Sequence, residues 1–183
     1  MKARFDLSGF TGAGYDRGGS AAKQVLWLLC SGIFLSHWWC PPQTRARVLR
    51  AFGADLAPGV LIRHRVRIHW PWKLSVGENS WIGEGTWILN LEPVRIGANT
   101  CVSQDVFLCT GSHDHRSPTF EFDNAPITIG DGSWVAARAT VLRGVTIGDN
   151  ATVGANALVV ADVADGEVVL APVAKTANPK AHG

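Results

Sequence analysis

A chain of 183 residues, 46% hydrophobic and 17% charged with a net charge of +2, is long enough to bury a core and falls in the size range of one globular domain. The near-neutral balance, with cations scattered except at Arg63, Arg65 and Arg67, argues against the continuous basic face of a nucleic-acid binder. Four cysteines, Cys30, Cys40, Cys101 and Cys109, form no CxxC pair and read as reduced, buried thiols.

Residues 1–22 are polar and Gly-rich with no secretory apolar stretch, so the cytoplasm is the expected compartment. Residues 25–40, VLWLLCSGIFLSHWWC, make an apolar run broken by Ser31, Gly32, Ser36 and His37 and closed by Pro41 and Pro42. A spanning helix needs about 20 apolar residues, so a helix packed against the rest of the protein is expected. The alternative is peripheral contact through a helix in the membrane interface, possible at the inner face, where Arg17, Lys23, Arg45, Arg47 and Arg50 would suit an anionic surface. Seven of the eight tryptophans (Trp27, Trp38, Trp39, Trp70, Trp72, Trp81, Trp87) lie in the first half and read as wide rings covering a surface or a subunit interface.

The rest is periodic. From Ile129 the chain reads in sixes, IGDGSW, VAARAT, VLRGVT, IGDNAT, VGANAL, VVADVA, which places Ile129, Val135, Val141, Ile147, Val153 and Val159 in one β-branched column. Upstream hexads add Ile96, Val102 and Leu108, then Val76, Ile82 and Ile88, with Val94 and Arg95 inserted between the two runs. Fifth positions are small or β-branched, as at Ser133, Ala139, Val145, Ala151, Ala157 and Val163. A helix would rotate every sixth residue to a new face, whereas short strands joined by turns return it to the same one. Three hexads then make one coil, stacked about 4.8 Å above the last by parallel pairing. Gly77, Gly83, Gly97, Gly130, Gly148 and Gly154, each following a column residue, suit tight corners and positive φ.

The period is lost between Ser112 and Thr128 and returns intact at Ile129, so one corner loops out, with His113, Asp114 and His115 at its root. TGSHD at 110–114, PITIGDGSWVA at 126–136 and GVTIGDNATVGA at 144–155 carry a resemblance to the hexapeptide-repeat acyltransferases. RVRIHWPWKLSVG at 65–77 and the apolar region before it look most like the colanic-acid-type acetyltransferases. The resemblance covers residues 50–175 and implies a left-handed parallel β-helix over 51–165 with its loop at 112–128, an α-helical N-terminal region over 1–50 and a tail over 166–183.

It further implies a homotrimer with active sites between subunits, acetyl-CoA as donor, no metal, and a sugar or glycan precursor of exopolysaccharide as acceptor. His113 is the implied general base, since an imidazole can take a hydroxyl proton near neutral pH during direct attack on a thioester. His115 and Asp114 are placed beside it, and Asn90 and Glu84 on an upstream coil as further acceptor contacts. The coenzyme is assigned Trp134, Ala137, Ala155, Val160 and Ala161, although core packing explains Trp134 equally. Two departures weaken that groove: Val160–Asp162 replaces the usual TKD, and APVAK at 171–175 replaces GNPAK, leaving Lys175 to supply charge. Two rival readings stand beside this one. A non-catalytic β-helix scaffold is the first, and the second is a γ-carbonic-anhydrase-like zinc enzyme using His64 and His69. Against zinc, His113 is more than two coils, about 10 Å, along the axis.

Overall fold

The computed structural model describes residues 4–173. From Asp55 to Val169 the chain winds as a three-sided parallel β-helix, each coil laying short strands on successive faces. The first face stacks Asp55–Leu56, Leu74–Val76, Val94–Ile96, Ile127–Ile129 and Thr146–Ile147. The second stacks Leu61–Ile62, Trp81–Ile82, Cys101–Val102, Trp134–Val135, Thr152–Val153 and Val168–Val169. Arg67–Ile68, Trp87–Leu89, Phe107–Cys109, Thr140–Leu142 and Leu158–Val159 form the third.

Parallel register keeps like residues together, with Ile82 between Ile62 and Val102, and Ile88 between Ile68 and Leu108. All twelve column residues point inward and none exceeds 4% exposure. Burying each such side chain stabilises the fold by about 1.5–3 kcal/mol before chain entropy is counted. The column also begins one coil earlier than Val76, at Leu56, Ile62 and Ile68. Val94 and Arg95, an insertion in the hexad frame, simply lengthen a first-face strand.

The corner glycines need correction. None of Gly77, Gly83, Gly97, Gly130, Gly148 and Gly154 has positive φ. The left-handed residues sit two positions later, in two vertical columns: Gly59, Asn79, Asn99, Gly132, Asn150 and Gly166 at one corner, and Arg65, Gly85, Asp105, Arg138 and Asn156 at the next. Gly and Asn enter that conformation at least cost, which accounts for much of the first column.

At the N-terminal end two helices close the prism. α1 (Ala21–Phe34) is capped by Ser20, whose hydroxyl accepts from the Lys23 N–H. α2 (Pro42–Ala51) opens on a proline and ends at Gly53, whose φ is 98°. Trp27, Leu35, Ala46 and Leu49 cover Leu56, Ile62 and Ile68, and the Trp27 indole N–H donates to the His69 carbonyl at 3.0 Å. The expected packed helix is nonetheless only half realised. Trp27 alone is buried in α1, while Val25, Leu26, Leu28, Leu29 and Ile33 are each more than half exposed. Helix also stops before Trp38 and Trp39, which sit in a loop. Among the cysteines, all free, only Cys40 is fully buried.

Candidate active site

The long corner leaves the third face after Cys109. Thr110, wholly buried, donates its hydroxyl to the Leu89 carbonyl at 3.0 Å and accepts the Glu92 N–H at 2.9 Å, pinning the exit to the coil below. The excursion then folds on itself. Asp123 and Asp114 N–H groups donate to Ser112 and Glu121 carbonyls, and His113 bridges Phe122 in antiparallel fashion. Asp114 caps the tip by accepting the Arg116 N–H at 2.8 Å, and Phe120 adopts a φ of 58°.

That turn presents the Phe120 carbonyl to His113 Nδ1 at 2.8 Å. A carbonyl can only accept, so Nδ1 carries the proton of the neutral ring and Nε2 keeps a free lone pair. The ring lies nearly parallel on Phe120 (centroids 4.4 Å, 8°) and on Phe122 (5.1 Å, 25°), with the Phe10 edge at 5.8 Å. Orientation and tautomer are thereby both specified, as a general base requires.

Phe10 belongs to an N-terminal arm, residues 4–19, that straps the loop. The carboxylate of Glu121 accepts the N–H groups of Thr11 (2.9 Å) and Gly12 (3.0 Å), Asp6 N–H donates to the Pro118 carbonyl, and Phe5 packs on Phe120. Tyr15 packs on Phe122 and accepts the Trp70 indole N–H. The Thr11 N–H bond, assisted by Thr119, the Thr11 hydroxyl and Gly12, outweighs the opposing desolvation and holds the Glu121 carboxyl below the usual carboxylate range. The stabilisation is therefore present above the ordinary carboxylate pKa and is lost as pH falls through the lowered value. Glu121→Ala is expected to speed tryptic cleavage at Arg17 by about tenfold through easier local opening of the arm.

The remaining predicted residues fall into separate places. Val160 and Ala161 share the corner column of His113, two coils further on, and are exposed. Trp134 lies on the second face, 50% exposed, so core packing does not explain it; its indole N–H donates to Ser103 at 2.9 Å. Beneath it a groove of about 260 Å³ runs past Leu61, Arg63, Trp81, Cys101, Ser103 and Gln104. Ala137 and Ala155 stack at the corner between the second and third faces, where Asn156 N–H donates to the Ala137 carbonyl at 3.0 Å. Glu84 occupies that corner one coil below Gln104, held by His64 at 3.2 Å and Arg65 at 3.4 Å. His115 is exposed at the loop tip, and Lys175 lies outside the described residues. His69 packs on Trp70, at a different corner from His64.

Asn90 is corrected. Its side chain is fully buried, its oxygen accepting the Trp70 N–H at 2.9 Å and its amide donating to the Trp70 carbonyl at 2.6 Å. With no exposed surface and one bond from each end of its amide to the Trp70 backbone, it clips a corner and is not open to an acceptor in this structure. Cys109, the thiol at the loop root, is pushed up in pKa by burial, which disfavours a thiolate nucleophile there. Sequence reasoning missed Phe10, Phe120, Phe122 and Glu121; the alternating Phe120, Glu121, Phe122 was the available hint.

The bacterial transferase hexapeptide (six repeats) family matches residues 126–161. WcaF of Escherichia coli K12, named as a colanic acid biosynthesis acetyltransferase, is 42% identical over 143 residues, covering 76% of this chain and 78% of WcaF. Among solved structures, a hexapeptide-repeat acetyltransferase of Vibrio cholerae complexed with acetyl coenzyme A has a TM-score of 0.76 at 22% identity, covering 87% of this chain and 89% of that one. A galactoside acetyltransferase in complex with coenzyme A gives 0.74 at 22% identity, with coverage of 82% and 76%. Those structures share the fold, a left-handed parallel β-helix. With repeat, fold and relatives in agreement, the chain belongs to the hexapeptide-repeat acetyltransferase family.

Proposed function

We propose that this protein is a cytoplasmic, homotrimeric O-acetyltransferase that transfers acetyl from acetyl-CoA to a hydroxyl of a sugar or glycan precursor for exopolysaccharide, with His113 as general base. The observation that carries the reading is the free Nε2 of an imidazole whose Nδ1 is committed to the Phe120 carbonyl. As the acceptor oxygen attacks the thioester carbon, its proton passes to Nε2. The carbon–sulfur bond then breaks, and the same proton moves from Nε2 to the departing sulfur. Ester and free thiol result, and the imidazole returns to its starting state without a covalent intermediate.

The trimer is supported by the separation of the half-sites. His113, Val160 and Ala161 lie at the corner between the third and first faces, while Trp134, Ala137, Ala155 and Glu84 lie on the second face and its far corner. One prism cannot close a site from both, but adjacent prisms can, one edge against the next. Asp114 and His115 then flank the acceptor, and Glu84 of a neighbouring subunit can approach it. The likeness to WcaF favours a glycan precursor. A thiol-release assay with acetyl-CoA and a panel of free sugars, nucleotide sugars and lipid-linked glycans tests this. Acceptor-dependent release is expected for at least one class, and release at the hydrolytic background with all of them would overturn it.

A further inference from the structure

α1 turns its greasiest side outward. Val25, Leu28, Leu29 and Gly32 fall at i, i+3, i+4 and i+7, with Leu26 and Ile33 beside them, so the exposed arc is continuous and apolar. Trp27, at the opposite side, is the anchor on the prism end. Trp38 (79% exposed) and Trp39 (56%) extend this surface, and their loop is not slack. Arg45, its side chain buried, donates to the His37 carbonyl at 2.8 Å, Arg65 N–H donates to the Leu35 carbonyl at 2.7 Å, and His37 stacks on Trp39. Two indoles are thus held in solvent by a buried guanidinium.

We infer that α1 and the Trp38–Trp39 loop form a docking surface for an anionic phospholipid membrane. Charge complementarity selects that occupant. From Arg17 to Lys73 the chain carries nine cations (Arg17, Lys23, Arg45, Arg47, Arg50, Arg63, Arg65, Arg67, Lys73) and one acid, Asp55. Arg47 and Arg50 are exposed on α2, the helix next to α1, and Arg63 and Arg67 are exposed on the first coil. An apolar face with basic neighbours and interfacial tryptophans is the composition of a helix that lies in the headgroup region. Fourteen residues span about 21 Å, short of the roughly 30 Å of a bilayer core, and no described helix is long and apolar enough to cross a membrane. A second copy of the chain fits less well: α1 closes the end of the prism, whereas the site residues lie on its sides, so lateral assembly leaves the outer face of α1 uncovered. The inference concerns where the protein works; only the exclusion of a second copy rests on the lateral trimer proposed above.

Co-sedimentation of the full chain with vesicles of phosphatidylcholine, and of phosphatidylcholine mixed equally with phosphatidylglycerol, tests it. Binding to the mixed vesicles is expected to exceed binding to the neutral ones by at least about tenfold, to weaken with salt and to shift tryptophan emission to the blue. The double variant Leu28→Glu, Leu29→Glu should lose binding while keeping its melting temperature and sedimentation coefficient. Should it misfold, Trp38→Ala with Trp39→Ala must show the same loss. Absence of wild-type binding, equal binding to both vesicles, binding retained in a folded variant, or a change of oligomeric state in place of lost binding would each overturn the inference. Thiol release in detergent-free buffer, measured on the same variants with a water-soluble acceptor, should be unchanged, so failure of the chemistry and failure of the docking remain distinguishable.

Discussion

Replacing His113 by Asn is expected to slow acetyl transfer by about 10²–10⁴-fold, the contribution of one well-placed general base. Asn is the informative choice because its amide nitrogen can sit where Nδ1 sits and still donate to the Phe120 carbonyl, now 2.8 Å from the ring. What it lacks is any group at the position of Nε2. The variant therefore separates two roles that Ala removes together, since Ala also strips the face that packs on Phe120 and Phe122. If His113 is the base, Asn and Ala variants should be equally slow, with coenzyme affinity unchanged by titration and the Asn variant melting close to wild type. If His113 only props the loop, the Asn variant should retain most of its activity, and that result would remove the mechanism.

Much of this was legible from spacing because the fold is built from local repetition. A β-branched residue every sixth position writes its inward direction directly into the sequence, and the excursion at Ser112 is visible as the long stretch over which that count is lost. Features that depend on distant pairings were not. The arm meets Glu121 across 110 positions of sequence, and nothing periodic announces such a contact. Asn90 shows a different failure: a polar residue on a coil near a presumed site looks like a ligand until its burial against Trp70 is known. Hydrophobicity also fails to say which side of a helix is covered. Leu28 and Leu29 read the same whether they meet a core or, as here, point away from it.

The corners carry the second large effect. Gly130→Val is expected to destabilise the protein by at least about 3 kcal/mol, lowering the melting temperature by roughly 6–12 °C, whereas Gly132→Asn should be close to neutral. Gly132 has positive φ (65°), but Asn79, Asn99 and Asn150 adopt the same conformation in its column, and the atom that an added Cβ meets is the movable end of Asn150. Gly130 is different. A Cβ there would lie 2.7 Å from the Asp149 nitrogen and from the Gly148 carbonyl carbon, backbone of the next coil that cannot move without breaking register. It would also fall 2.3 Å from the Asp149 carboxylate, which accepts the Asp131 N–H at 2.8 Å. That bond is one rung of a ladder: Asp131 accepts from Ala98 N–H at 2.7 Å, and Asp165 from Asp149 N–H at 2.9 Å. The repeated Gly-Asp of this corner thus lets one coil approach the next closely enough for its carboxylate to satisfy the N–H below. Losing that approach at Gly130 disturbs the coil that carries Trp134, so calorimetry should register a large drop for Val and almost none for Asn at position 132. Equal melting temperatures for the two variants would mean that conformational freedom, and not contact between coils, is what the first corner glycine provides.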